Sequence, residues 1–377
     1  MKKILAIVFA VLMLVAPAAF AVDTGIGIGI DITTEDFAPL IWLCDDRVVT
    51  DDFVEPGRMS DGEDELLERI NNYAFEGEQI SWEVLVMDKN GIEKISDVFA
   101  TIGSTQGTGN DIEANCNLDV GFSSSVESEC NARIDEEDLT GESIDPTTQA
   151  YFRCTFTVET PESMQGEYWV TVEVEDLDGL SSIIAENEYW FLNPIVALEI
   201  EGDLVFDEVR PGTLSYSDTL LVRNDAEAGS GVQLDMFISG TDFFDSSSSG
   251  AKCPTSNVLR LGDDDSDCDS GDAFCYYAVS GAYSTQNDNR NDAEGYVGIN
   301  YGTSFGNSPS YGDFYGSSNG DSGGYEIMQD ANIPGPYFPG NVLVPGAEHA
   351  ITFRLNLPEP CNGDFDTGSL FFFGEAI

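Results

Sequence analysis

A chain of 377 residues with 69 Asp and Glu against 15 Lys and Arg carries a formal charge of −54. A surface potential of that size repels nucleic-acid phosphates and anionic lipid headgroups, so neither is expected as a partner. The single histidine, His349, leaves histidine-based catalysis one possible site, while 42% hydrophobic and 11% aromatic residues suffice to bury a core.

The N-terminus reads as an export signal. Lys2 and Lys3 precede an apolar run from Ile4 to Val15, and Ala19-Phe20-Ala21 has the small-x-small pattern cut by signal peptidase. Residues 1–21 are therefore expected to be removed, since the run is too short to span a bilayer. No membrane insertion is expected after that cleavage. Next comes Gly25-Ile26-Gly27-Ile28-Gly29-Ile30-Asp31-Ile32, with isoleucines on one face and small residues on the other. Such a segment suits an edge strand of its own domain, or donation of strand 25–32 to a neighbouring filament subunit.

Cysteine usage supports export. Cys44, Cys116, Cys130, Cys154, Cys253, Cys268, Cys275 and Cys361 make an even set without C-x-x-C spacing, which argues for disulfides over a zinc or redox site. Cys116 with Cys130 is expected as a local loop, leaving Cys44 with Cys154. Spacing does not choose a pairing in the second half.

Ser60 followed by Glu63, with Leu66, Leu67 and Ile70 as a short apolar stripe, predicts a surface helix over 61–71. From about Phe75 to Asn193 apolar residues alternate with period two, the mark of half-buried strands. Trp82, Val84 and Val86 share one face before Asp88-Lys89-Asn90-Gly91. Tyr168, Val170, Val172 and Val174 share one face before Asp176-Leu177-Asp178-Gly179. Each reads as a strand feeding a hairpin.

The segment Gly166-Glu167-Tyr168-Trp169-Val170-Thr171-Val172, its Asp-x-Asp-Gly turn and Cys154 on a preceding strand resemble immunoglobulin-like modules of prokaryotic, notably archaeal, exported cell-surface proteins. The resemblance covers about 120 residues and implies a sandwich fold rather than an activity. Asn193-Pro194 ends the first set of strands. A second set is expected at Leu204–Val209, Thr219–Arg223, Val232–Ile238, Ala350–Leu357 and Gly368–Phe373. The expected fold is all-β: two tandem immunoglobulin-like sandwiches, 22–194 and 195–377, the first with a surface helix and the second with an insertion at 282–325.

Two segments of the second half could carry function. Asp263, Asp264, Asp265, Asp267, Asp269 and Asp272 put six carboxylates in ten residues. Asp263, Asp265, Asp267 and Asp269 are the candidate calcium ligands, although Cys268 and Phe274 stand where an EF-hand needs glycine and glutamate. The alternative is a solvated acidic loop pinned by a disulfide. The acidity itself has two readings, a saline habitat or calcium sites, and no other cofactor is expected. In 282–325, Gly, Ser, Asn, Asp and Tyr make 32 of 44 residues. That is a paratope-like mixture, in which Tyr296, Tyr301, Tyr311 and Tyr315 are the candidate binding residues. A long solvated insertion is the alternative.

His349 has no nucleophile motif beside it, and no N-x-S/T sequon occurs. The composite expectation is a secreted structural or adhesive cell-surface protein without catalysis, meeting other surface proteins, polysaccharide or copies of itself. A carbohydrate-binding protein using the Tyr- and Asp-rich second domain, a strand-donating filament subunit and a secreted glycosidase are the alternatives.

Overall fold

The computed structural model describes residues 31–51, 71–107, 109–110, 112–120, 125–126, 130, 143–184, 189–247, 253, 257–261, 268, 272–299, 326–330, 332–333 and 337–377. Regular structure is almost entirely strand, with single 3-10 turns at Ile92–Lys94 and Thr285–Asn287. The predicted helix lies outside the described residues except for Asn71, as do the export signal and residues 25–30. Asp31 and Ile32 are exposed, without regular secondary structure.

Among the described residues nine strands precede Pro194: β1 (Leu40–Asp51), β2 (Tyr73–Ala74), β3 (Glu78–Met87), β4 (Ile95–Gly103), β5 (Ile112–Asp119), β6 (Gln149–Thr157), β7 (Gly166–Asp176), β8 (Ser181–Ile184) and β9 (Tyr189–Leu192). They form one sheet in the order β1-β3-β6-β5-β4-β7-β9-β2, with β8 on β7. The sheet folds back at β5–β4, so its two arms enclose a common core. Trp82, Val84 and Val86 of β3 meet Val170, Val172 and Val174 of β7 there, as the alternation predicts. Strand β3 is buried on its other face too, where Leu85 and Met87 join Trp42, Cys44, Cys130 and Tyr151 in a satellite cluster.

The two Asp-led turns differ. Asp176–Gly179 closes a true hairpin between β7 and β8. Asp88–Gly91 does not: β3 pairs with β1 and β6, and the turn carries the chain across to β4 in the other arm. Both turns use the same local chemistry, with Asp88 accepting from Asn90 N at 2.7 Å and Asp176 from Asp178 N at 2.9 Å. They also lie together, since Leu177 N donates to Lys94 O just beyond the first turn.

Among the described residues eleven strands follow: β10 (Leu198–Glu201), β11 (Thr213–Asn224), β12 (Leu234–Gly240), β13 (Phe243–Phe244), β14 (Val258–Leu259), β15 (Phe274–Ser280), β16 (Tyr283–Ser284), β17 (Val297–Gly298), β18 (Val342–Leu343), β19 (Glu348–Leu357) and β20 (Leu370–Ala376). A sheet ordered β10-β11-β19-β15-β16, with β17 on β15, and a sheet β18-β12-β20 enclose the second core. Leu204–Val209 is not a strand. Its apolar side chains pack on that core, but Glu208 at φ 52° breaks the extended backbone a strand requires. Residues 283–299, expected inside a solvated insertion, are instead built into the sheet through β16 and β17, with Thr285, Arg290, Val297 and Ile299 buried.

All eight cysteines are paired, as Cys44–Cys130, Cys116–Cys154, Cys253–Cys361 and Cys268–Cys275. The expected Cys116–Cys130 and Cys44–Cys154 pairs are overturned by sheet register: Cys116 and Cys154 stand directly opposite each other on β5 and β6. No disulfide joins the residues before Pro194 to those after it. Side chains do cross, however. Tyr73 and Phe191 pack into the second core, and the Tyr73 hydroxyl donates to the carbonyl of Ile377.

Candidate functional site

Register on the larger sheet of the second half sorts its aromatic side chains into two faces. Tyr216 of β11 stands opposite Arg354 of β19, and Arg354 opposite Cys275 of β15. Alternation therefore puts Tyr216, Arg354 and Tyr277 on the outer face, while Leu220, Phe353 and Tyr276 point into the core. A turn at 292–296 folds onto that outer face. Asp292 Oδ1 accepts from Glu294 N at 2.8 Å and Tyr296 N at 3.0 Å. Gly295 has φ 91°, and a Cβ there would stand 2.8 Å from the Tyr277 ring, so only glycine allows the approach.

The turn delivers Tyr296 to the centre of an aromatic platform, 5.8 Å from the Tyr277 ring and 6.0 Å from Tyr216. The Arg354 guanidinium lies 4.3 Å from the Tyr296 centroid and is held by Asp292 at 2.6 Å and Glu294 at 3.1 Å. Burial opposes the Asp292 charge, but hydrogen bonds from Tyr296 N and Arg354 keep its carboxyl below the usual range. Burial, and Tyr216 beside it, raise the Tyr296 phenol, which stays neutral. Tyr216 is 52% exposed. Aromatic rings tilted by 48° and 49° to Tyr296, next to phenol donors and fixed carboxylates, can each present a face to an apolar sugar surface and bond its hydroxyls.

Of the residues singled out from sequence, Tyr296 is on this platform. Tyr301, Tyr311 and Tyr315 lie outside the described residues, as do Asp263, Asp265, Asp267 and Asp269. Among the described residues no group of three or more His, Cys, Asp or Glu is arranged to hold a metal ion. Tyr216, Tyr277 and Arg354 were not anticipated. In Phe274-Cys275-Tyr276-Tyr277 two adjacent tyrosines point opposite ways, and only pairing with β19 tells which one faces outward.

A second polar cluster lies inside. Arg290 and Asp288 form a fully buried ion pair at 2.6 Å, and Arg290 also donates to the carbonyl of Glu326 at 3.0 Å. Asn341 donates to Asp235 at 2.7 Å and to Met236 O at 2.8 Å, and accepts from Met328 N at 3.0 Å. Burial drives Asp235 up to about 7 and Glu326 up to about 8, with Asp235 adding to the latter. His349, expected just before a strand, lies within β19 and is fully buried, with Nε2 3.3 Å from Asn341 O. Burial holds it down to about 4, hence neutral. Through Arg290 the cluster holds the backbone of Glu326.

No protein-family model matches the chain, and no curated protein matches it. A solved DUF4466 family protein from Parabacteroides merdae is 8% identical over 85% of this chain and 99% of its own, with a TM-score of 0.21. A solved secreted-protein candidate from Eubacterium rectale is 8% identical over 92% of this chain and 68% of its own, with a TM-score of 0.18. Likeness at that level assigns neither fold family nor function.

Proposed function

We propose that this is an exported, non-catalytic adhesive protein of the cell exterior, built from two tandem immunoglobulin-like sandwich domains, 22–194 and 195–377. In this reading the second domain holds carbohydrate on the platform of Tyr216, Tyr277 and Tyr296. Pairing of all eight cysteines supports an oxidising compartment. Complete burial of His349 supports the absence of histidine catalysis. The observation that carries the binding role is the platform itself. Three phenol rings and a stacked arginine share the outer face of the sheet, Tyr216, Tyr277 and Arg354 through strand register and Tyr296 through the Gly295 turn.

The test is a glycan array probed with the wild-type protein and with Tyr216→Ala combined with Tyr296→Ala. Both side chains lie outside the core, so the double variant should melt within a few degrees of wild type. Loss of at least tenfold in affinity for the glycan bound by wild type is expected. No glycan bound by wild type, or equal binding by both proteins, would overturn the reading.

A further inference from the structure

In the second half, the loop joining β10 to β11 lines, together with neighbouring strands, a cavity of about 780 Å³. That volume is in the range that takes a drug-sized molecule. Its walls include Phe206, Phe243 and Phe274, with ring centroids 5.6 Å apart for Phe206 and Phe274 and 5.2 Å for Phe243 and Phe274. Asp207, Glu208 and Asp364 also line it, all three exposed. None of these carboxylates is in an ion pair with a described residue. At Glu208 the backbone takes φ 52°, a left-handed conformation that a non-glycine residue rarely adopts.

Two chemistries thus converge on one occupant. The phenylalanine side chains offer apolar wall suited to a hydrocarbon part, and three carboxylates without an ion-pair partner among the described residues add formal negative charge at the same place. An anion is repelled by those carboxylates, and by a chain of net charge −54. A neutral apolar molecule would use the walls and leave the carboxylates without a partner. A small inorganic cation would use the carboxylates and leave the apolar walls wet. We propose that this cavity binds an amphiphilic organic cation, an aryl- or alkylammonium whose hydrocarbon part fills the phenylalanine-lined space while its charged head meets Asp207, Glu208 and Asp364. The site is separate from the tyrosine platform and does not depend on the glycan reading.

The test is calorimetric titration of the full protein with phenethyltrimethylammonium, with its neutral tert-butyl isostere, and with tetramethylammonium as a measure of general attraction to an acidic surface. The expected result is one saturable site for the arylammonium, at least tenfold tighter than for either control. Leu204→Trp, which narrows the cavity, should weaken that site. Asp207→Asn with Glu208→Gln and Asp364→Asn changes only exposed side chains and should weaken it about tenfold or more without altering the melting temperature. The proposal is overturned if no saturable site appears, if the neutral isostere binds equally, or if the triple variant binds as wild type does.

Discussion

The two cores differ in kind. In the first, Ile80, Trp82, Val84, Val172, Val174 and Trp190 meet between the arms of one folded sheet. Its buried polar side chains are scattered, with Ser81, Glu83, Gln149 and Thr171 in strands and Asp88, Asp176 and Asn193 at turns or strand ends. In the second, Asp235, Asp288, Arg290, Glu326, Asn341 and His349 are buried together beside apolar strands. The first is stabilised mainly by apolar burial, a term indifferent to pH, with Glu83 buried against Arg153 and two disulfides beside it. The second is stabilised by burial offset by desolvated charge, and its polar contacts have few alternative partners, which suits a region that must place chain ends and a surface turn accurately.

Breaking the buried ion pair should have the largest effect. Arg290→Met leaves the Asp288 carboxylate uncompensated in the interior, and a loss of about 3–5 kcal/mol is expected in urea denaturation followed by tyrosine fluorescence. A loss below about 1 kcal/mol would show that the cluster is solvated and the contrast between the cores is wrong.

A smaller effect sharpens the comparison through pH. In the folded protein Asp235 and Glu326 keep their protons up to about 7 and 8, whereas an unfolded chain releases them near pH 4. The folded state therefore holds more protons across that interval, and stability must fall as pH rises from about 4 to 8. His349 acts in the opposite sense. Its folded value of about 4 lies below the unfolded 6.5, so its contribution is lost as pH falls from 6.5 to 4. Above pH 6.5 the carboxyls act alone, and a decline on the order of 2 kcal/mol between pH 6.5 and 8 is expected. Glu326→Gln should flatten most of it. Val172→Ala in the first core should cost about 2 kcal/mol at both pH values, leaving the slope intact.

The sequence made the apolar framework readable because period-two alternation is a local property. Trp82, Val84, Val86, Val170, Val172 and Val174 all lie where their spacing puts them. Pairing is not local, and the errors follow from that. Asp88–Gly91 has hairpin chemistry yet leads to a crossover, because the partner of β3 is chosen by residues up to 78 positions away, as Gln79 opposite Thr157 illustrates. Cys116 pairs with Cys154, rather than the nearer Cys130, for the same reason. Composition picked out Tyr296 because it stands in a tyrosine-rich stretch. It could not show that Tyr216, 80 residues earlier, would be brought to its side, nor that Arg290 in the same polar stretch would be buried.

The proposed export of a chain whose halves are each closed by their own disulfides is tested most directly by peptide mapping of protein recovered from its native source without reduction and with free thiols blocked at lysis. The expected linked peptides are Cys44–Cys130, Cys116–Cys154, Cys253–Cys361 and Cys268–Cys275, with no blocked thiol. Free thiols at most of the eight positions, or a bond between a cysteine before Pro194 and one after it, would contradict the account.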